Sequence, residues 1–215
     1  MKNRSFSWDL FHTLPVIGII RGISRDKLEH VLPIYHAAGF TNVEITLNTP
    51  DALSIIQWLS ETFGEKMNVG AGTVCTLEDL DKAVKAGARF IVSPIMNEDL
   101  IKACVVSNIP VFPGAFSPTE IYYAWEAGAS MVKVFPATPG GVEYIKQIKG
   151  PLDHIKLLPT GGVTSDNLAE FLKAGADGFG IGGEIFDKKL IMNNQWAQLE
   201  EKMKAFVNEF FRIDN

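Results

Sequence analysis

A lysine inside an apolar run is the most chemically demanding feature of this sequence. Lys133 lies between Met131, Val132, Val134 and Phe135, whereas most other lysines fall in segments with helical or turn character. Burial disfavours the charged amine and lowers its pKa. A neutral amine near pH 7 can attack a ketone and form an imine. The alternative is a structural cation paired with a carboxylate inside the fold. Lys156 is a weaker candidate, because it opens the next apolar run, His154–Thr160, and belongs at the opposite end of the strand. Glu44 interrupts a second apolar run, NVEITLN. Alternate strand residues share a face, so Glu44, Thr46 and Asn48 point the same way. Facing inward, Glu44 would either shuttle protons with a raised pKa or hold Lys133 as an ion-pair partner, and the pairing fits both. Arg21 ends the run GIIR. It would clamp a carboxylate with its planar fork, or pair at the surface with Asp26.

Two glycine-rich turns complete the set. Gly161-Gly162-Val163 follows Thr160, and Gly180-Ile181-Gly182-Gly183 follows the last apolar run. Backbone N–H groups in such turns, with a helix start behind them, bind a phosphate dianion without a charged side chain. Glycine lets the backbone come close, although tight-turn sterics alone would also select it. The four histidines (His12, His30, His36, His154) show no HxH or HExxH spacing, so no metal site is expected. Cys75 and Cys104 read as structural.

These residues need elements to position them. Eight apolar runs, 16–21, 43–47, 69–74, 90–94, 111–116, 131–135, 155–160 and 179–182, alternate with segments of helical spacing. Continuous apolar runs are the mark of buried parallel strands. Ser117-Pro118-Thr119-Glu120 predicts a capped helix start, as do Thr76 with Asp79 and the segment Thr49-Pro50-Asp51. A phrase AGF or AGA recurs at 38–40, 86–88, 127–129 and 174–176, and its glycine fits a left-handed helix C-cap before the next strand. The pattern predicts an α/β chain, one (β/α)₈ barrel over residues 1–215, with Ser5–Leu14 as a short N-terminal capping helix. An open doubly wound sheet is the rival, disfavoured by the even spacing of the units.

Composition sets outer bounds. The chain has 215 residues, 47% of them apolar, enough for a sizeable core. A net charge of −5 argues against nucleic acid as the main partner. No apolar run approaches the roughly 20 residues of a membrane span. The N-terminal residues lack the apolar stretch of a signal peptide, and two cysteines in unrelated segments argue against a disulfide framework, so a reducing cytoplasm is the expected setting.

Taken together, VEITLNTP (43–50), GAGTV (70–74), SPIMNED (93–99), PVFPGAFSPTE (110–120), VKVFPA (132–137), PTGGVT (159–164) and GIGGEIF (180–186) resemble the 2-keto-3-deoxy-6-phosphogluconate / 4-hydroxy-2-oxoglutarate aldolase family, in order and over nearly the whole chain. The resemblance implies a homotrimeric, metal- and cofactor-independent class I aldolase that releases pyruvate from a 2-keto acid. It implies Lys133 as Schiff-base former and Glu44 as general acid/base. It further implies Thr73 near the pyruvate carboxylate, Pro94 and Phe135 lining the pocket, and Thr160, Gly161, Gly162, Gly182 and Gly183 around the phosphate. Two positions depart from the phosphogluconate branch. Asn48 replaces an arginine, whereas a branch resembling 6-phosphogalactonate aldolase carries L-N-[ST]-P together with R-G, as here in Arg21-Gly22. That implies a carboxylate clamp moved from the second strand to the first. Glu184 replaces a serine beside the phosphate loop and would repel phosphate unless its side chain points away. A phosphosugar isomerase or epimerase barrel, and a ligand-binding barrel with a merely structural Lys133–Glu44 pair, are the rival functions.

Overall fold

The computed structural model describes residues 5–214. Strands β1 (Val16–Ile20), β2 (Asn42–Thr46), β3 (Asn68–Gly72), β4 (Ile91–Val92), β5 (Val111–Phe112), β6 (Gly114–Ala115), β7 (Val132–Val134), β8 (Leu157–Pro159) and β9 (Phe179–Ile181) run through the chain. Helices α2 (Arg25–Ala37), α3 (Ala52–Phe63), α4 (Leu77–Lys85), α5 (Glu98–Val106), α6 (Pro118–Glu126), α7 (Gly141–Lys149) and α8 (Leu168–Lys173) alternate with them. Before β1 comes α1 (Trp8–Thr13), and after β9 come α9 (Lys188–Met192) and α10 (Trp196–Asp214).

Every strand pairing is parallel. The strands fall into a six-stranded half-barrel in the order β5-β4-β3-β2-β1-β9 and a three-stranded sheet β6-β7-β8. This differs from one uninterrupted eight-stranded ring. The expected strand 111–116 is split into β5 and β6 by Pro113, which has no N–H to give to a ladder. The two sheets approach each other there, where the Lys133 N–H donates to the Pro113 carbonyl, and again at an isolated bridge between Thr160 and Gly180.

Local signals explain most boundaries. Ser117 with Glu120 and Thr76 with Asp79 form reciprocal capping boxes at α6 and α4. The segment Thr49-Pro50-Asp51 does not cap α3 through a side chain. Asp51 is the N-cap, with φ of 57° and no side-chain cap hydrogen bond, and the Thr49 hydroxyl is engaged elsewhere. The four AG-phrase glycines, Gly39, Gly87, Gly128 and Gly175, have φ from 98° to 109°, the left-handed conformation that ends a helix.

Two apolar layers form. One packs helices against the outer strand faces, and its members include Leu32, Ile56, Val132 and Phe179. The other fills the inside of the strands with Ile17, Phe90, Val92, Phe112, Met131 and Leu158, closed from below by Phe11 of α1, with Phe6 packed on it. Buried amides hold α1 there. Asn68 of β3 accepts from the Ser7 N–H and donates to the Ser7 carbonyl, both at 2.8 Å. Asn42 of β2 donates to the Leu14 carbonyl at 3.1 Å and accepts from Asn68 at 2.9 Å. Thr41 donates to the Leu10 carbonyl.

Candidate active site

The inner apolar layer fixes what lies above it. Two residues along each strand is the next inward position. Lys133 follows Met131, Thr160 follows Leu158, Ile19 follows Ile17 and Glu44 follows Asn42. The polar positions therefore lie on the C-terminal side of a dry floor, the end of parallel strands where α/β barrels do chemistry.

Lys133 is 5% exposed, with its Nζ 4.9 Å from the centre of the Phe135 ring, a cation–π distance. Burial holds its pKa below the ordinary amine value. The Glu44 carboxylate works against that shift, and the Arg21 guanidinium adds to it. Glu44 is 1% exposed and one carboxylate oxygen, Oε2, has no hydrogen-bond partner among the described residues. Burial pushes its pKa up, opposed by Lys133 and then Arg21. The carboxyl group lies directly over Gly72. A methyl group at that position would come within 2.4 Å of Oε1, so the glycine of the GAGT segment makes the room Glu44 occupies. The two groups are thus driven in opposite directions, the amine toward neutrality and the carboxyl toward its protonated form. Such a pair can add to a carbonyl and exchange the protons of the addition.

A cavity of about 450 Å³ opens above the pair. Of the residues singled out in the sequence, Lys133, Arg21, Phe135, Thr160, Gly161, Gly162, Gly182 and Gly183 line it. Glu44, Thr73 and Pro94 do not. Glu44 is buried on β2, coupled by charge to Lys133 on β7. Thr73 is half-buried with φ of 60°, just past β3. Pro94 is half-buried with its carbonyl packed against Gly114.

The first glycine loop turns through left-handed backbone. Gly161 and Gly162 have φ of 92° and 78°, and Asn167 ties the loop down by donating to the Gly162 carbonyl at 2.8 Å and accepting from the Thr164 N–H at 2.9 Å. Glu184 leans toward α10, where Lys202 Nζ lies 4.0 Å from it and 3.2 Å from Asp187. Glu184 nonetheless lines the cavity, and Lys202, nearer to Asp187, offsets its charge only in part. Arg21 is exposed at the mouth, and among the described residues it makes no ion pair with Asp26. The Asp26 carboxyl is held low chiefly by a hydrogen bond with Ser24.

Sequence reasoning missed Lys188. It is exposed, lines the cavity, and its Nζ reaches to 3.9 Å from where a side chain on Gly22 would begin. A cation five positions after a GG turn was visible, but its place at the start of α9 reads as an ordinary helix surface. Cys75 and Cys104 are unpaired, and burial pushes the Cys104 thiol up to about 12. Among the described residues, no group of three or more His, Cys, Asp or Glu side chains is placed to hold a metal. No helix among them is long and apolar enough to cross a membrane.

Known proteins resemble this chain over most of its length. Residues 9–202 match the family described as Aldolase: KDPG and KHG aldolase. The 2-dehydro-3-deoxy-6-phosphogalactonate aldolase of Escherichia coli K12 is 39% identical over 90% of this chain and 95% of its own. The 2-dehydro-3-deoxy-phosphogluconate aldolase of Pseudomonas aeruginosa is 36% identical over 92% of this chain and 88% of its own. The solved KDPG aldolase of Legionella pneumophila, with pyruvate captured as a covalent carbinolamine, superposes with a TM-score of 0.84 at 33% identity, over 92% of this chain and 96% of that one. A match across most of its length, with relatives at 39% and 36% identity, means that the chain belongs to the KDPG and KHG aldolase family.

Proposed function

We propose that this protein is a class I aldolase that cleaves 2-keto-3-deoxy-6-phosphogluconate to pyruvate and glyceraldehyde 3-phosphate, and 4-hydroxy-2-oxoglutarate to pyruvate and glyoxylate. The observation that carries this reading is Lys133, almost fully buried yet facing the cavity, with its amine driven toward neutrality. In the proposed sequence Lys133 Nζ attacks the C2 ketone, and the protonated Glu44 supplies the proton with which water leaves. The resulting iminium is the electron sink, so no cofactor enters the reaction. Glu44 as carboxylate, directly or through a water, takes the C4 hydroxyl proton. The C3–C4 bond breaks toward the nitrogen, and the aldehyde departs. The enamine is protonated at C3, and hydrolysis returns the amine and pyruvate.

Arg21 clamps an anionic group at the mouth, and Lys188 adds a second cation there. Gly161, Gly162, Gly182 and Gly183, with Thr160, hold the phosphate through the backbone. Glu184 also lines the cavity, and in this reading Lys202 on one side and the cations Arg21 and Lys188 at the mouth offset its charge. Thr73 and Pro94 shape the wall behind the carboxylate, and Phe135 covers the lysine. The second reading, a 2-keto-3-deoxy-6-phosphogalactonate aldolase, is favoured by one specific feature, Asn48 on β2's exit together with Arg21-Gly22 on β1's. Measuring kcat/KM for both epimers, with and without phosphate, tests the proposal. Cleavage of neither epimer would overturn it, and a preference for the galactonate isomer would select the second reading.

For the scaffold, we take residues 1–215 as one domain and the two sheets as one closed (β/α)₈ barrel. The Lys133–Pro113 hydrogen bond and the Thr160–Gly180 bridge support that closure. Homotrimer assembly has support in exposed apolar side chains on α5, α6 and the loops beside them: Ile95, Val106, Phe116, Tyr122 and Tyr123. Two unpaired cysteines suit a reducing cytoplasm.

A further inference from the structure

Arg21 is a long side chain at the end of a strand, and something must hold its backbone if its guanidinium is to meet a ligand in one place. We infer that Thr46 and Thr49 form a hydroxyl relay that grips the chain on both sides of Arg21 and so positions it at the cavity. The inference rests on the reading of Arg21 as an anion clamp.

The geometry specifies the direction of every bond. The Thr46 hydroxyl donates to the Ile20 carbonyl at 3.2 Å, immediately before Arg21. The Thr49 hydroxyl accepts from the Gly22 N–H at 3.0 Å, immediately after it. The two hydroxyl oxygens lie 3.1 Å apart, with either able to donate. A hydroxyl has one proton, and that of Thr46 is given to Ile20. The proton between them therefore belongs to Thr49. The chain reads Gly22 N–H to Thr49, Thr49 O–H to Thr46, Thr46 O–H to the Ile20 carbonyl, with each proton used once.

Thr46 is 0% and Thr49 4% exposed, so water does not substitute readily for either hydroxyl. The Thr49 N–H also bonds the Thr46 carbonyl at 2.8 Å, which holds the two hydroxyls in one turn. Gly22 has φ of 65°, a conformation that lets the chain leave β1 sharply while still pointing its N–H at Thr49. The Leu47-Asn48-Thr49-Pro50 turn and the Arg21-Gly22 exit are therefore one mechanical unit. Because Thr46 stands two residues from Glu44 on β2, that unit also ties Arg21 to the strand carrying the carboxylate, whose pKa Arg21 helps to lower.

A double-mutant cycle tests this, using the full-length protein with Arg21→Ala, Thr49→Val, Thr49→Ser and the pair Arg21→Ala/Thr49→Val. Loss of one neutral hydrogen bond in the relay predicts that Thr49→Val raises KM about fivefold with kcat little changed, while Thr49→Ser stays near wild type. In the Arg21→Ala background the Thr49→Val change should have no further effect on KM. If Thr49→Val fails to fold, Thr49→Ala takes its place. A KM increase that persists unchanged without Arg21, a loss confined to kcat, or an unaltered KM in Thr49→Val would each overturn the relay. If Arg21→Ala itself leaves KM unchanged while Lys133 still cleaves substrate, the clamp reading is what fails.

Discussion

Lys133 and Glu44 bias each other, and Arg21 biases both. Burial is the leading cause for both titrating groups, lowering the amine and raising the carboxyl. On Lys133 the weaker Coulomb effects have opposite signs, and that gives a prediction. The neutral amine is the reactive form, so imine formation falls as pH drops through the Lys133 pKa. Glu44 raises that pKa, and its removal lowers it, so Glu44→Gln shifts the acid limb of pyruvate-imine formation to lower pH. Arg21 lowers it, so Arg21→Met shifts the limb to higher pH. Measuring the pH dependence of trapping at saturating pyruvate checks both, and shifts in the same direction would contradict these couplings. At this scale the sequence was informative because a charge inside an apolar run is conspicuous wherever the chain folds. Lys133, Glu44 and Arg21 stood out for that reason. Thr46 and Thr49 did not, because a hydroxyl in a β-branched side chain suits a strand anyway. Their role appears only when β1 and β2 lie side by side.

Helix ends are local chemistry, and the element scale was legible wherever a signal was local. The capping boxes at Ser117 and Thr76 and the left-handed glycines before β2, β4, β7 and β9 fall where the residue order places them. α3 likewise starts directly after Thr49-Pro50-Asp51, although Asp51, at φ of 57°, makes no side-chain cap and Thr49's hydroxyl bonds Gly22 instead. Pro113 divides a run whose apolar pattern alone reads as one strand. The buried amides under the floor were invisible in sequence, since Asn68's partners Ser7 and Asn42 lie 61 and 26 positions away. They predict that α1 depends on Asn68. Replacing it with alanine removes both anchors of Ser7 and leaves Asn42 short of a donor. Asn68→Ala should destabilise the protein by about 1–3 kcal/mol, read as a lower denaturation midpoint, with faster amide exchange in α1 than in β1. Unchanged exchange in α1 would show that the Thr41 and Asn42 bonds and the packing of Phe6 and Phe11 hold it without Asn68.

The whole molecule is layered from floor to mouth: an apolar layer, a titrating pair above it, and an opening lined by glycine loops with Arg21, Lys188 and Glu184, the arrangement on which the proposed keto-acid site rests. Lys188 joins that opening only through the return of the chain after the last strand. The outer face predicts assembly: Val106 is 82% and Tyr123 58% exposed on adjacent helices, a costly apolar surface for a monomer. If the proposed trimer is built on this face, Val106→Glu/Tyr123→Glu should convert a trimeric mass to a monomeric one in analytical ultracentrifugation; a persistent trimer would place the interface elsewhere, and a monomeric parent protein would overturn the trimer itself.

The imine at Lys133 is the claim on which the rest depends. Incubating the protein with pyruvate and borohydride, then mapping peptides by mass spectrometry, tests it directly. The account predicts a reduced pyruvate adduct on the peptide containing Lys133, loss of aldol cleavage in proportion to labelling, and no adduct in Lys133→Met. Full cleavage activity with Lys133 unlabelled, or an adduct on another lysine, would contradict it.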